Sequence, residues 1–229
     1  MELRTDVADA PLHPIVPLPP VPFRPYYQDD LVTIYNANCR QVIPFLDRFD
    51  LLLTDPPYGV GAGKGGAGKG QRLMVEGGCE WDKQPVSELL LLLCIEAAKE
   101  ACIWGGNYYA LPPCRGMLIW DKKQPMEWYS TAHFEYAWTT RNANAKAYRM
   151  SQVEVHSKMD KVHPTQKPIG LMQWCLGIFP ECKTILDPFA GSGTTGVACK
   201  LEGRKAVLIE MDERYCESAA KRLSQGTLF

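Results

Sequence analysis

Apolar positions along the chain come in two rhythms. Short, nearly continuous apolar runs at residues 31–35, 50–54, 101–104, 116–120, 134–138, 184–186 and 205–209 read as strands, the most continuous of them as buried parallel strands. Between them, residues 85–100, 168–178, 194–201 and 212–223 read as helices, and Pro85 and Pro168 stand where proline opens a helix. This alternation predicts an α/β fold, a sheet covered by helices on both faces. Two regions break the pattern. The prolines from Pro11 to Pro25 forbid helix and predict an extended arm over residues 1–30, a covering strap or frayed tail rather than a recognition ligand. The glycine-rich stretch beginning at Val60 cannot pack a core and predicts a mobile loop over 60–82. Residues 139–162 read as polar and irregular, and nothing repeats. One domain is expected at 31–223, with a tail at 224–229.

Composition adds limits more than identity. A chain of 229 residues, 46% apolar and 22% charged, buries one ordinary core. A net charge of −1 excludes little, because basic groups gathered on one face still serve a nucleic acid. The nine cysteines form no C-x-x-C pair and have no histidine at zinc spacing, so no metal is expected. Their apolar settings, with no signal peptide, predict a reducing, cytoplasmic environment. The leucine run at 89–93 is too short to cross a bilayer.

Two motifs carry chemistry. Asp187-Pro188-Phe189-Ala190-Gly191-Ser192-Gly193-Thr194-Thr195 follows a strand and opens a helix, where glycines let the backbone approach a ligand beside exposed amides. Glu210 ends the next strand, at the place where a carboxylate accepts from ribose hydroxyls. Gly191, Gly193 and Gly196 also fit a dinucleotide fingerprint, so NAD and S-adenosylmethionine both remain open, as does a turn without ligand. The second motif, Asp55-Pro56-Pro57-Tyr58, lies beyond the carboxyl end of the strand at 50–54. The prolines fix the backbone. The Asp55 carboxylate and Pro56 carbonyl can accept both hydrogens of an amino group on a base, freeing its lone pair, while Tyr58 offers a stacking face. A capped proline turn is the plainer alternative.

In this order the motifs resemble those of the beta arrangement of amino-methylating DNA methyltransferases. The similarity runs from about residue 31 to 223 and includes His163-Pro164-Thr165-Gln166-Lys167-Pro168, Gly105-Gly106-Asn107-Tyr108 and Phe134-Glu135-Tyr136-Ala137-Trp138. It implies a circularly permuted Rossmann-like methyltransferase fold with a small target-recognition insertion. The strand at 31–35 is then expected beside the one at 205–209. The implied cofactor is S-adenosyl-L-methionine, held by Asn38, Cys39, Asp55, Thr165, Lys167, Asp187, Phe189, Ala190, Gly191, Ser192, Gly193, Thr194, Thr195 and Glu210. The implied catalytic set is Asp55, Pro56, Pro57 and Tyr58, with His163 only positional. Asn38 stands where the family usually has aspartate, and an amide can still address an adenine edge.

The implied partner is DNA, met by Arg141, Lys146, Arg149, Lys158 and Lys161 and by Lys64, Lys69 and Arg72 of the glycine loop. A homodimer and a partner restriction endonuclease are left open by the resemblance. Asp55 favours adenine N6, since the family's cytosine-N4 members more often carry serine there. An NAD oxidoreductase would lack downstream machinery. A catalytically silent DNA-binding subunit would be expected to show a damaged motif, and both motifs are intact.

Overall fold

The computed structural model describes residues 22–59, 85–123, 132–151 and 166–225. Most of the expected arm, the glycine-rich loop with Lys64, Lys69 and Arg72, and Lys158, Lys161, His163 and Thr165 lie outside the described residues. Among the described residues nine strands form one sheet: β1 (Tyr27–Gln28), β2 (Val32–Asn36), β3 (Phe49–Thr54), β4 (Ala98–Trp104), β5 (Met117–Asp121), β6 (Phe134–Thr139), β7 (Lys146–Arg149), β8 (Thr184–Asp187) and β9 (Lys205–Glu210). The helices are α1 (Cys39–Val42), α2 (Glu88–Glu96), α3 (Ile169–Ile178), α4 (Thr194–Leu201) and α5 (Glu213–Ser224).

The strand order is β1-β2-β9-β8-β3-β4-β6-β5-β7. β2, from near the start of the chain, pairs in parallel with β9, from near its end, which is the permuted neighbourhood that the resemblance implies. Side-chain alternation along β3 shows why helices are needed on both faces. Leu51 and Leu53 join a core built with Leu171, Leu176, Ala198, Cys216 and Leu223 of α3, α4 and α5. Leu52 joins a second core with Val42 of α1 and Leu91 and Cys94 of α2. Each fully buried leucine here contributes roughly 1.5–3 kcal/mol relative to exposure.

Three elements differ from the sequence expectation. Helix was expected across 85–100. Instead the Ser87 hydroxyl caps α2, the helix ends at Glu96, and residues from Ala98 join the sheet beside Phe49 and Leu51. Helix-forming residues there yield to parallel pairing with a buried strand. Residues 139–162 were expected to be irregular, yet Lys146–Arg149 forms β7. Its charged side chains are those of an edge strand, which hides its period. Tyr27–Gln28, inside the expected arm, pairs antiparallel with β2.

The register decides what surrounds the carboxyl edge. Trp104, the last residue of β4, is level with Ala137, Leu118 and Lys146 across β6, β5 and β7. β5 and β7 continue three residues further, to Asp121 and Arg149, which is roughly 10 Å at strand rise. A three-stranded lobe therefore projects past the edge at which β2, β9, β8 and β3 end. Among the described residues no helix is long and apolar enough to cross a membrane, and no group of His, Cys, Asp and Glu could hold a metal ion.

Candidate active site

The parallel strands β2, β9, β8 and β3 lie side by side and deliver Asn36, Glu210, Asp187 and, one residue beyond β3, Asp55 to one edge. Asp187 faces inward. It is 3% exposed, accepts the Thr54 hydroxyl at 2.7 Å, and accepts the Phe189 amide at 3.2 Å. Burial pushes its carboxyl up to about 6, against hydrogen bonds from Thr195 and Thr54. Asp187 thus ties the glycine turn to β3, the strand that carries Asp55.

The turn itself is pinned from two sides. Glu210 accepts the Gly191 amide through Oε2 and the Asp212 amide through Oε1, each at 2.8 Å. Burial raises the Glu210 carboxyl, and each oxygen keeps lone-pair capacity for a further donor. Arg222 of α5 donates to the Ser192 carbonyl at 2.5 Å and to the Ser192 and Thr194 hydroxyls. The side chains of Ser192, Thr194 and Thr195 are therefore committed to the turn's frame, and all three residues are buried. What the turn offers a ligand is backbone. Gly191 has φ +51°, and among the described residues no atom beyond its own chain neighbours lies within 4 Å of where a Cβ would stand. Phe189 is partly buried, Ala190 buried, and the Ala190 amide donates to the Ile209 carbonyl.

Asn38 caps α1 with its side-chain oxygen on the Arg40 amide. Cys39 is buried, its thiol hydrogen-bonded to Cys94, so its backbone rather than its sulfur is left to meet a ligand.

Asp55 lies in a cluster of charges and rings. Lys167, just ahead of α3, places its ammonium 2.5 Å from Asp55 Oδ2 and 3.0 Å from Glu135 Oε2. The Tyr58 hydroxyl donates to Asp55 Oδ1. Burial alone would push the Lys167 ammonium down, but Asp55 and Glu135 outweigh it and hold it well above the usual lysine value. Burial raises the Asp55 carboxyl, with Lys167 pulling the other way. Glu135 responds differently. Burial would raise it, but Lys167 and Lys122 together hold it at about 2. Lys167 was read as a cofactor contact, and the structure gives it these two carboxylates.

The backbone of the tetrapeptide is fixed as its prolines predict. The Pro57 carbonyl accepts the Tyr109 hydroxyl at 2.6 Å and the Val86 amide at 3.3 Å, and Pro56 is buried. The Tyr58 ring stacks on Tyr108, centroids 4.8 Å apart, and lies against Gly105. A Cβ on Gly105 would fall 2.0 Å from Tyr58 Cε1, at φ +67°. Gly105→Ala is expected to displace Tyr58 and to cost roughly 1–3 kcal/mol in backbone strain. Thermal unfolding reads the loss, and an unchanged midpoint would show that Tyr58 relaxes freely.

Of the expected DNA contacts, Lys146 and Arg149 sit exposed on β7, Arg149 within 3.3 Å of Asp121. Arg141 is otherwise engaged. It pairs with Glu181 and lies over the Phe179 ring, and the pair remains partly open to solvent. Sequence reading missed Glu135, Lys122, Tyr109 and Arg222. A lone glutamate in the apolar strand at 134–138 was the signal available for Glu135.

A family model described as DNA methylase, of the N6 and N4 class, matches residues 119–221. The chain is 26% identical to the Type II methyltransferase M2.LlaDCHI of Lactococcus lactis subsp. cremoris, over 90% of this chain and 94% of that protein. It is 27% identical to the Type II methyltransferase M2.DpnII of Streptococcus pneumoniae, over 87% and 92%. Among solved structures, the M1.HpyAVI–SAM complex shares the fold at TM-score 0.54 and 22% identity, over 84% of this chain and 100% of that one. The cytosine-N4-specific PvuII DNA methyltransferase shares it at TM-score 0.58 and 15% identity, over 91% and 92%.

Proposed function

We infer that this chain is an S-adenosylmethionine-dependent DNA methyltransferase acting on an exocyclic amino group, and that this group is N6 of adenine. The observation that carries the reading is one sheet edge holding both an open glycine turn at Gly191 and the Asp55–Tyr58 tetrapeptide. The turn fits the cofactor, since its backbone is bare on the open side and Glu210 retains acceptor capacity towards a ribose. When bound, S-adenosylmethionine supplies a methyl group activated by its sulfonium.

The chain's own residues then act on the base. The target must leave the duplex stack, at a cost of a few kcal/mol. Tyr58 and the half-exposed Tyr108 form the aromatic wall that offsets part of this. Asp55 and the Pro56 carbonyl accept the two amino hydrogens, so the nitrogen lone pair turns away from the ring. Tyr58 must surrender its own bond to Asp55 as the amino group arrives. Asp55 in the first motif position supports adenine over cytosine, by the resemblance noted above. The projecting lobe, with Lys146 and Arg149, supports a DNA-facing surface next to the site. The reading extends to a partner restriction endonuclease, in keeping with the Type II designation of the relatives, and to the cytoplasm, in keeping with free thiols at every described cysteine.

Sequencing modified bases in DNA from cells expressing the protein tests the base assignment; N6-methyladenine at a fixed site is expected, and N4-methylcytosine would correct it. The cofactor assignment has its own test. Glu210→Gln should weaken S-adenosylmethionine binding at least about tenfold in calorimetry, since a charge-assisted bond contributes roughly 1.5–3 kcal/mol. Unchanged affinity would remove Glu210 from the ribose.

A further inference from the structure

The charges around Asp55 do not end at Lys167. Lys122, which follows β5, lies 2.5 Å from Glu135 Oε1, and Lys167 lies 3.0 Å from Glu135 Oε2 and 2.5 Å from Asp55. The result is a row of alternating sign, Lys122–Glu135–Lys167–Asp55, drawn from the projecting lobe, the segment before α3 and the end of β3. Both lysines are buried, at 6% and 7% exposure, and Glu135 Oε2 is sealed from solvent. Indole rings flank the row. Lys122 lies 5.1 Å from the Trp120 centroid and Lys167 5.8 Å from the Trp104 centroid. Buried ions held this way are kept in one geometry, because any displacement strands a charge.

Two carboxylates therefore share one ammonium. If Lys167 served Asp55 alone, it would draw the carboxylate's electron density wholly to itself and leave a poor acceptor. With Glu135 on its other side, the ammonium is divided. We propose that Glu135, anchored by Lys122, is a positioning residue for methyl transfer: by holding one side of Lys167 it leaves Asp55 able to accept the hydrogen of the target amino group. The proposal rests on the methyltransferase reading above. It also ties the lobe to the chemistry, since Glu135 and Lys122 both belong to it.

The sign of the effect follows from the neighbours. Asp55 faces Tyr58 at Oδ1, Lys167 at Oδ2, Glu135 beyond the lysine, and Asp187 across Thr54. Lys167 also faces Cys175, which is hydrogen-bonded to Cys102. Removing the Glu135 charge removes a group that raises Asp55 and gives Lys167 wholly to it. Asp55 becomes less basic. Removing Lys122 releases Glu135 onto Lys167 and makes Asp55 more basic.

The test is single-turnover methyl transfer to DNA across pH, with cofactor affinity measured in parallel. Glu135→Gln should slow transfer about tenfold, a part of what a positioned proton acceptor supplies. It should move the acid limb of the rate profile to lower pH, with cofactor affinity within threefold. Lys122→Met should move that limb to higher pH. Opposite shifts distinguish positioning from simple loss of packing, which moves neither limb. If Glu135→Gln unfolds because Lys122 is stranded, the double variant with Lys122→Met removes both charges, and its acid limb should still lie below that of the parent. Limbs that coincide with the parent's in every folded variant overturn the proposal. A parent protein with no transfer to DNA would instead overturn the reading on which it rests.

Discussion

Asp55→Ala is expected to abolish methyl transfer while leaving S-adenosylmethionine affinity within a few-fold. The carboxylate's principal partner is the amino group as its nitrogen becomes nucleophilic, so the loss belongs to the transition state and appears in kcat. A positioned acceptor of this kind contributes roughly 10²–10⁴-fold. Alanine also takes one carboxylate from the buried Lys167, and Glu135 remains to hold it. Asp55→Asn separates the two effects. It keeps the shape and one carbonyl acceptor while removing the charge, so it should fold like the parent and transfer far more slowly. Turnover and calorimetry on both variants decide the matter. Robust transfer by Asp55→Ala would take Asp55 out of the mechanism.

Lys167→Met is expected to be the most destabilising single change in the site. It leaves Asp55 and Glu135, whose side chains are 23% and 25% exposed, facing one another, and the lower end of the buried-pair cost applies, about 3 kcal/mol. For a chain of this size that is a fall of about 6–12 °C in Tm. The pH dependence has a definite sign. In the parent, Glu135 is held at about 2 against an ordinary value of 4.5, so its stabilisation is present above 4.5 and lost as pH falls towards 2. In the variant Asp55 loses the ammonium that held it down and is forced up, while Glu135 keeps Lys122 and is held down less. The variant's penalty is greatest at neutral and alkaline pH and shrinks in acid as one of the carboxylates takes a proton. Thermal unfolding at pH 5 and pH 8 should show the wider gap from the parent at pH 8. An equal gap at both would mean that Lys167 acts by packing alone.

Much of the frame was legible because it rests on local patterning. The nearly unbroken apolar run at 50–54 read as a buried parallel strand, and it is β3. The glycine motif read as strand, turn and helix, and Asp187, Gly191 and Thr194 occupy those three places. The neighbourhood of β2 and β9 came from the resemblance, since no local pattern pairs residues so far apart in sequence. Side-chain direction was not legible. The hydroxyls of Ser192, Thr194 and Thr195 meet Arg222 and Asp187, partners that the motif itself does not announce. Glu135 and Lys122 stayed hidden for a related reason. Their meaning depends on β5 and β6 meeting the segment before α3, a tertiary event without a sequence period. Arg141 was legible as a charge but not as a pair, because Glu181 and Phe179 lie far from it in sequence and reach it only in the folded chain.

The most direct measurement is transfer of a labelled methyl group from S-adenosylmethionine to duplex DNA by the purified protein, followed by digestion and separation of the nucleosides. Label is expected in N6-methyladenine with the parent protein and is expected to be lost with Asp55→Asn under conditions where both bind the cofactor equally. Label that never enters DNA, or that enters it equally with Asp55→Asn, would contradict that expectation.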